Sequence, residues 1–195
     1  MNVFVSPVKR LAMESPREKY IHDTLDPQKH QIRLFRLDVK ASYSQRVGEA
    51  QTYDVQGCLQ TVELNDECPQ YQALSYFWGD ADDLYNIKID SKTLQIRRNL
   101  YDFLQTVPDV KPSILPNGSV PSHLWIDQVC INQENGIERN HQVQQMKQIF
   151  SRAGRVIAWL GPCSDAETLR LIEQAESLSP DAYEWWTVWG ALHRN

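Results

Sequence analysis

Apolar and polar positions alternate first over Gln31–Val39 (QIRLFRLDV), where Ile32, Leu34, Phe35 and Leu37 predict a strand. Gly57–Leu64 (GCLQTVEL) predicts a second, with Cys58, Gln60, Val62 and Leu64 on one face, and the polar run Lys40–Asp54 reads as a long connection between them. Tyr71–Trp78 (YQALSYFW) is almost continuously apolar and aromatic, the pattern of a strand buried on both faces of a parallel sheet. Asn86–Ile96 alternates on either side of Asp90-Ser91-Lys92 and predicts a hairpin. Asn99 is placed to cap a helix carrying Leu100, Phe103, Leu104 and Val107. Pro108, Pro112, Pro116 and Pro121, with Asn117-Gly118, then predict a loop.

His123–Asp127 (HLWID) predicts a short buried strand, and a helix is expected from Gly136 to Arg152. Val143, Met146, Ile149, Phe150 and Ala153 keep helical spacing there, while Glu138, Gln142 and Gln145 fall on another face. Arg155–Leu160 predicts another buried strand, stopped by Gly161-Pro162. Ser164-x-x-Glu167 is a capping box at the head of a helix bearing Leu169, Ile172 and Leu178, which Pro180 interrupts. Trp185, Trp186 and Trp189 then mark residues 180–195 as a Trp-rich amphipathic segment, expected to lead into a further region of a longer protein. Residues 1–30, with Pro7, Pro16 and Pro27 and little periodicity, read as a flexible arm. Strands and helices in this succession predict the α/β class: an open, mostly parallel sheet flanked by helices, with an added β-hairpin and added N-terminal strands.

Composition narrows the function classes. Hydrophobic residues make up 42% of the 195, enough for a core. A net charge of -5 lacks the basic footprint that binding to nucleic acid needs. Cys58, Cys68, Cys130 and Cys163 include no CxxC pair, and His22 and His30 make no metal motif by themselves, so no metal is expected. Met1–Arg10 has no sustained apolar stretch and no segment reaches the ~20 apolar residues of a membrane span, which points to a soluble, cytoplasmic protein. GxGxxG and GxxxxGK[ST] are both absent, so no phosphate-cradling glycine loop supports a kinase, a GTPase or a nicotinamide dehydrogenase.

In open α/β sheets ligands collect outside the carboxyl ends of the strands. Three such ends run into Gly79-Asp80, Gln128–Asn135 and Gly161-Pro162. Their loops suggest a polar small-molecule pocket drawing on Ser75, Trp78, Gly79, Asp127, Cys130, Asn132, Gln133 and Arg139. Trp78, followed by a glycine, can stack on a ligand. Asp127 can orient a base or hold a ligand hydroxyl, or it can cap the turn after its own strand. Asn132 and Gln133 can present amides, Arg139 can pair with a phosphate or with Glu138, and Cys130 is either a small buried hydrophobe or a nucleophile. Glu138 fits position N3 of a helix capped by Asn135, and it can equally stabilise an oxocarbenium-like centre as the catalytic carboxylate.

Several blocks taken together resemble the fungal heterokaryon-incompatibility (HET) domain. Tyr71–Asp80 (YQALSYFWGD) is similar to its YxALSYxWGD block, and Leu124–Gln133 (LWIDQVCINQ) to its LWID-x-x-CINQ block. Glu138-Arg139, Gln142-Val143, Met146 and Val156–Gly161 resemble the ER…QV…M…VIxWLG continuation. Phe150 and Phe77 are the small departures. On this resemblance residues 31–179 form the HET domain. The resemblance implies nonself recognition that ends in programmed cell death, and a likeness to Toll/interleukin-1 receptor (TIR) domains with their flavodoxin-like sheet. By that analogy it further implies NAD as a substrate rather than a bound cofactor, cleaved after self-association through homotypic contacts. Glu138 is the catalytic candidate by motif order, and Glu167 is its competitor by topology. The other class of function is a non-enzymatic adaptor that signals death through homotypic protein–protein contacts.

Overall fold

The computed structural model describes residues 18–38, 54–107, 123–163 and 186–192, with Cys163 and 186–192 as backbone only. The elements run β1 (Gln31–Asp38), β2 (Gln56–Glu63), β3 (Gln72–Tyr76), β4 (Leu84–Ile89), β5 (Lys92–Arg97), α1 (Arg98–Thr106), β6 (Leu124–Trp125), α2 (Asp127–Cys130), α3 (Gly136–Arg152), β7 (Arg155–Cys163) and β8 (Trp186–Leu192). The described strands form one sheet in the order β5-β4-β2-β1-β6-β3-β7-β8. The α/β class expected from the sequence is what the chain adopts.

The sheet is mixed. β6, β3, β7 and β8 are mutually parallel neighbours, whereas β1 runs antiparallel to both β2 and β6. Within the parallel half the strands, counted in chain order, lie 2-1-3-4. The N-terminal strands are therefore not appended to the sheet. β1 occupies its interior, which explains why Ile32, Arg33, Leu34 and Phe35 are all buried. Close packing here demands a glycine: a Cβ on Gly57 of β2 would lie 2.3 Å from the Arg36 carbonyl and 2.4 Å from the Phe35 ring.

The expected hairpin is β4–β5, closed by Asp90 and Ser91 with φ of 48° and 69°. Two consecutive positive φ values match the right-handed twist of the strands they join. One face of the hairpin buries Ile87, Ile89 and Ile96 in the core, where Leu100, Phe103 and Leu104 of α1 also lie. Phe103 meets Trp159 of β7 edge-on at 5.6 Å. α3 covers the other face of the parallel strands: Phe150 meets Trp125, and the Tyr71 hydroxyl donates to the Ile149 carbonyl at 2.6 Å.

Four local expectations are corrected. α1 begins at Arg98, one residue before the expected cap; Asn99 lies inside the helix and turns its amide to other strands. α3 buries Glu138, Gln142 and Gln145 beside Ile149, while Val143 is 54% exposed. That polar stripe serves the interior backbone, with Gln142 Nε2 donating to the Gln31 carbonyl at 2.8 Å. Trp186–Leu192 of the Trp-rich segment is a strand parallel to β7. Finally, Glu18–His30 of the supposed arm lies on the sheet. Tyr20 N donates to the Thr93 carbonyl (2.7 Å) and Thr93 N to the Glu18 carbonyl (2.8 Å), while Tyr20 and Leu25 are buried. The proline-rich loop after α1, the Ser164–Glu167 capping box and its helix lie outside the described residues.

Candidate functional site

Trp78 lies two residues beyond the end of β3 and Asp127 two beyond the end of β6, and the two are tied together by Trp78 Nε1 donating to Asp127 Oδ2 at 2.8 Å. Asp127 opens α2, and its other oxygen accepts the Gln128 N–H at 2.7 Å. Of the roles read for this aspartate, it fills the one at its own turn, and its second oxygen is taken by Trp78, not by a base. Burial pushes the Asp127 carboxyl above its ordinary value, and the bonds from Trp78, Gln128 and Tyr76 offset part of that.

The hairpin folds back over these strand ends. The Arg97 guanidinium lies 4.9 Å above the Trp78 ring and donates to the Gly79 carbonyl at 2.8 Å. Gly79 has φ +80°, so a side chain there would be strained. Gln128 Oε1 accepts from Tyr76 Oη (3.2 Å) and Arg97 N (3.3 Å), which joins α2 to both β3 and β5.

The result is a groove of about 510 Å³. One wall is the outer hairpin face, with Leu84, Asn86, Gln95 and Arg97; the other is Gln128 and Ile131–Glu134; Trp78 and the segment Lys19–His22 complete it. A Lys19–Glu134 ion pair at 2.6 Å connects that segment to the loop wall, and His22 Nε2–H donates to the Val129 carbonyl at 2.8 Å.

Of the sequence-predicted site residues, Trp78, Asn132 and Gln133 line the groove. Gly79 and Asp127 stand behind Trp78. Arg139 props the loop from outside, donating to the Gln133 carbonyl at 3.3 Å. Ser75 is exposed on β3, away from the groove. Cys130 is fully buried, with Sγ accepting from Ile126 N at 3.3 Å, and burial pushes its thiol up to about 12. It keeps its proton at neutral pH, and this removes the thiolate that a nucleophilic role needs.

Glu138 is set apart from the groove. Its side chain is buried in a bidentate pair with Arg33, Nη1 to Oε1 at 2.6 Å and Nη2 to Oε2 at 3.1 Å. Oε1 also accepts the Asn132 N–H at 2.8 Å. Asn135 does cap the helix, accepting from Ile137 N and Glu138 N, yet the Glu138 carboxylate turns inward to Arg33 instead of completing a capping box. Burial raises its pKa, and Arg33 with Asn132 more than reverses this, so the carboxyl sits below the usual range. Arg33 reaches further, donating to the carbonyls of Cys130 (2.9 Å) and Asp23. Glu167 lies outside the described residues. Sequence reasoning missed Arg33, Arg97, Gln128 and Lys19–His22. The one available signal was a lone arginine among the apolar residues of QIRLF.

Behind Trp78, at the junction of β3 and β7, the crevice is filled. Asn99 Nδ2 donates to the Phe77 carbonyl, and Trp159 Nε1 donates to Asn99 Oδ1 at 2.9 Å. The open space therefore lies on the β6 and hairpin side.

The residues that build these strand ends also decide the relationship. The family described as Heterokaryon incompatibility protein (HET) matches residues 71–193, well over half of the chain. This chain belongs to the HET family. It is 32% identical over 148 residues to Heterokaryon incompatibility protein 6, OR allele, of Neurospora crassa, covering 72% of this chain and 20% of that protein. The chain thus spans about a fifth of the length of that relative. No solved structure matches it. Within the HET match, Tyr71–Asp80 supplies β3 and Trp78, Leu124–Gln133 supplies β6, α2 and the loop wall, and Glu138 fixes that wall from behind. Among the described residues, no helix is long and apolar enough to cross a membrane.

Proposed function

We propose that this HET domain is an effector of fungal nonself recognition that acts in the cytoplasm. It triggers programmed cell death by acting on a nucleotide, NAD being the leading candidate, after self-association. Family membership and the name of the Neurospora relative support the first part. The 2-1-3-4 order of the parallel strands supports a TIR-like, flavodoxin-like reading of that half. The observation that carries the nucleotide is the groove at the carboxyl ends of β3 and β6, where Trp78 meets a wall of side-chain amides. In this reading Glu138 acts through Asn132, and Glu134, held by Lys19 at 2.6 Å, is the carboxylate lining the groove beside the ligand. The test is nicotinamide release from NAD by the purified chain at high concentration. Release is expected, and it is lost in folded Trp78→Ala and Glu134→Gln variants. No release from assembled protein would overturn the enzymatic reading.

A non-enzymatic adaptor is the second reading, favoured by a different observation. Phe77 and Leu160 follow the paired residues Tyr76 and Trp159 and are 79% and 65% exposed, an apolar patch where the end of β3 lies beside β7. Cell death that persists without nicotinamide release, and that Phe77→Asp or Leu160→Asp abolishes, is its signature.

A further inference from the structure

We infer that the groove takes a heterocycle and its ribose, as a nucleoside or the nucleoside end of a larger nucleotide, and provides no phosphate site. The inference rests on the nucleotide reading and narrows it. Asn86 and Gln95 stand opposite each other in the β4–β5 register, and both side-chain amides are exposed, with no hydrogen-bond partner among the described residues. Across the groove, Gln128 and Asn132 have their amide oxygens engaged, by Tyr76 and Arg97 and by Glu134 N respectively. Their NH2 groups remain for a ligand. Amides on both walls, each able to donate or to accept, match hydroxyls and heterocycle edges. Trp78 supplies the apolar surface that a flat ring or sugar C–H groups need.

Phosphate finds much less. Arg97 is directed at the Gly79 carbonyl and stacked on Trp78, and Lys19 is neutralised by Glu134. The start of α3 is no substitute, because Asn135 Oδ1 takes the N–H groups of Ile137 and Glu138, and the Glu138 carboxylate lies beside them. A helix start attracts anions only while its N–H groups are free.

Saturation-transfer NMR on the 195-residue chain with adenosine, ADP and inorganic pyrophosphate tests the inference. Adenosine is expected to bind, and the surface double variant Asn86→Ala/Gln95→Ala weakens it about tenfold. Pyrophosphate neither binds nor competes, and ADP binds within a few-fold of adenosine with little dependence on salt. ADP binding far tighter than adenosine, with affinity lost in salt and pyrophosphate competing, overturns the inference and leaves the nucleotide reading standing. Binding of none of the three overturns the inference, while the nucleotide reading stands or falls on nicotinamide release.

Discussion

Arg33 and Glu138 hold opposite charges where the chain gives them almost no water, with side chains 1% and 6% exposed. The pair also joins three pieces of backbone: Asp23 in the N-terminal segment, Cys130 at the end of α2 and Asn132 in the groove wall. Removing either member leaves the other charge buried without its partner. Arg33→Met or Glu138→Ala is therefore expected to lose roughly 3–5 kcal/mol of stability, measured by urea unfolding. Losing both charges together should cost less than the sum of the two single losses, because neither is then stranded.

At the scale of elements, Asn135 separates capping from the buried pair. Its Oδ1 serves two of the unpaired N–H groups at the start of α3, so Asn135→Ala is expected to cost about 1 kcal/mol while leaving the Arg33–Glu138 contact in place. Much of this level was legible in the sequence. Alternation and apolar runs located β1 to β5 and β7 to within a few residues, and α3 has the predicted boundaries. What escaped depended on partners distant in sequence. A helix that buries two glutamines and a glutamate breaks the apolar-stripe rule, because its neighbours are the interior carbonyl of Gln31 and a buried arginine. Asn99 looked like a cap because local spacing cannot reveal that Phe77 and Trp159 await its amide. In the site, Trp78, Asn132 and Gln133 were readable because they sit in loops after strands, whereas Arg97 and Lys19 reach the groove only through tertiary folding.

Across the whole molecule the pH dependence follows from burial. Burial lowers the pKa of His22 from 6.5, with the nearby Arg33 adding to this and the Val129 carbonyl opposing it. The unfolded chain therefore takes up a proton first, and stability falls as pH drops below 6.5 toward the folded value. His123, also lowered by burial, adds to the same window. Glu138 contributes stability that is complete above its ordinary 4.5 and lost as pH falls through its lower folded value. Asp127 opposes it, since a raised carboxyl favours the fold as it protonates. Thermal unfolding followed from pH 7 to well below 4 is expected to show a two-stage decline, the histidine stage below 6.5 and the Glu138 stage below 4.5, and His22→Gln removes the His22 share of the first.

The interior position of β1 bears on what counts as one self-sufficient unit. A polypeptide starting at Tyr71 retains every residue of the family match. It would nonetheless leave the far side of β6 as a bare edge, strip the groove of Lys19–His22 and strand the Glu138 carboxylate without Arg33. The folding unit therefore reaches upstream of the family match, and Arg33 and Glu138 are expected to tolerate replacement better together than singly.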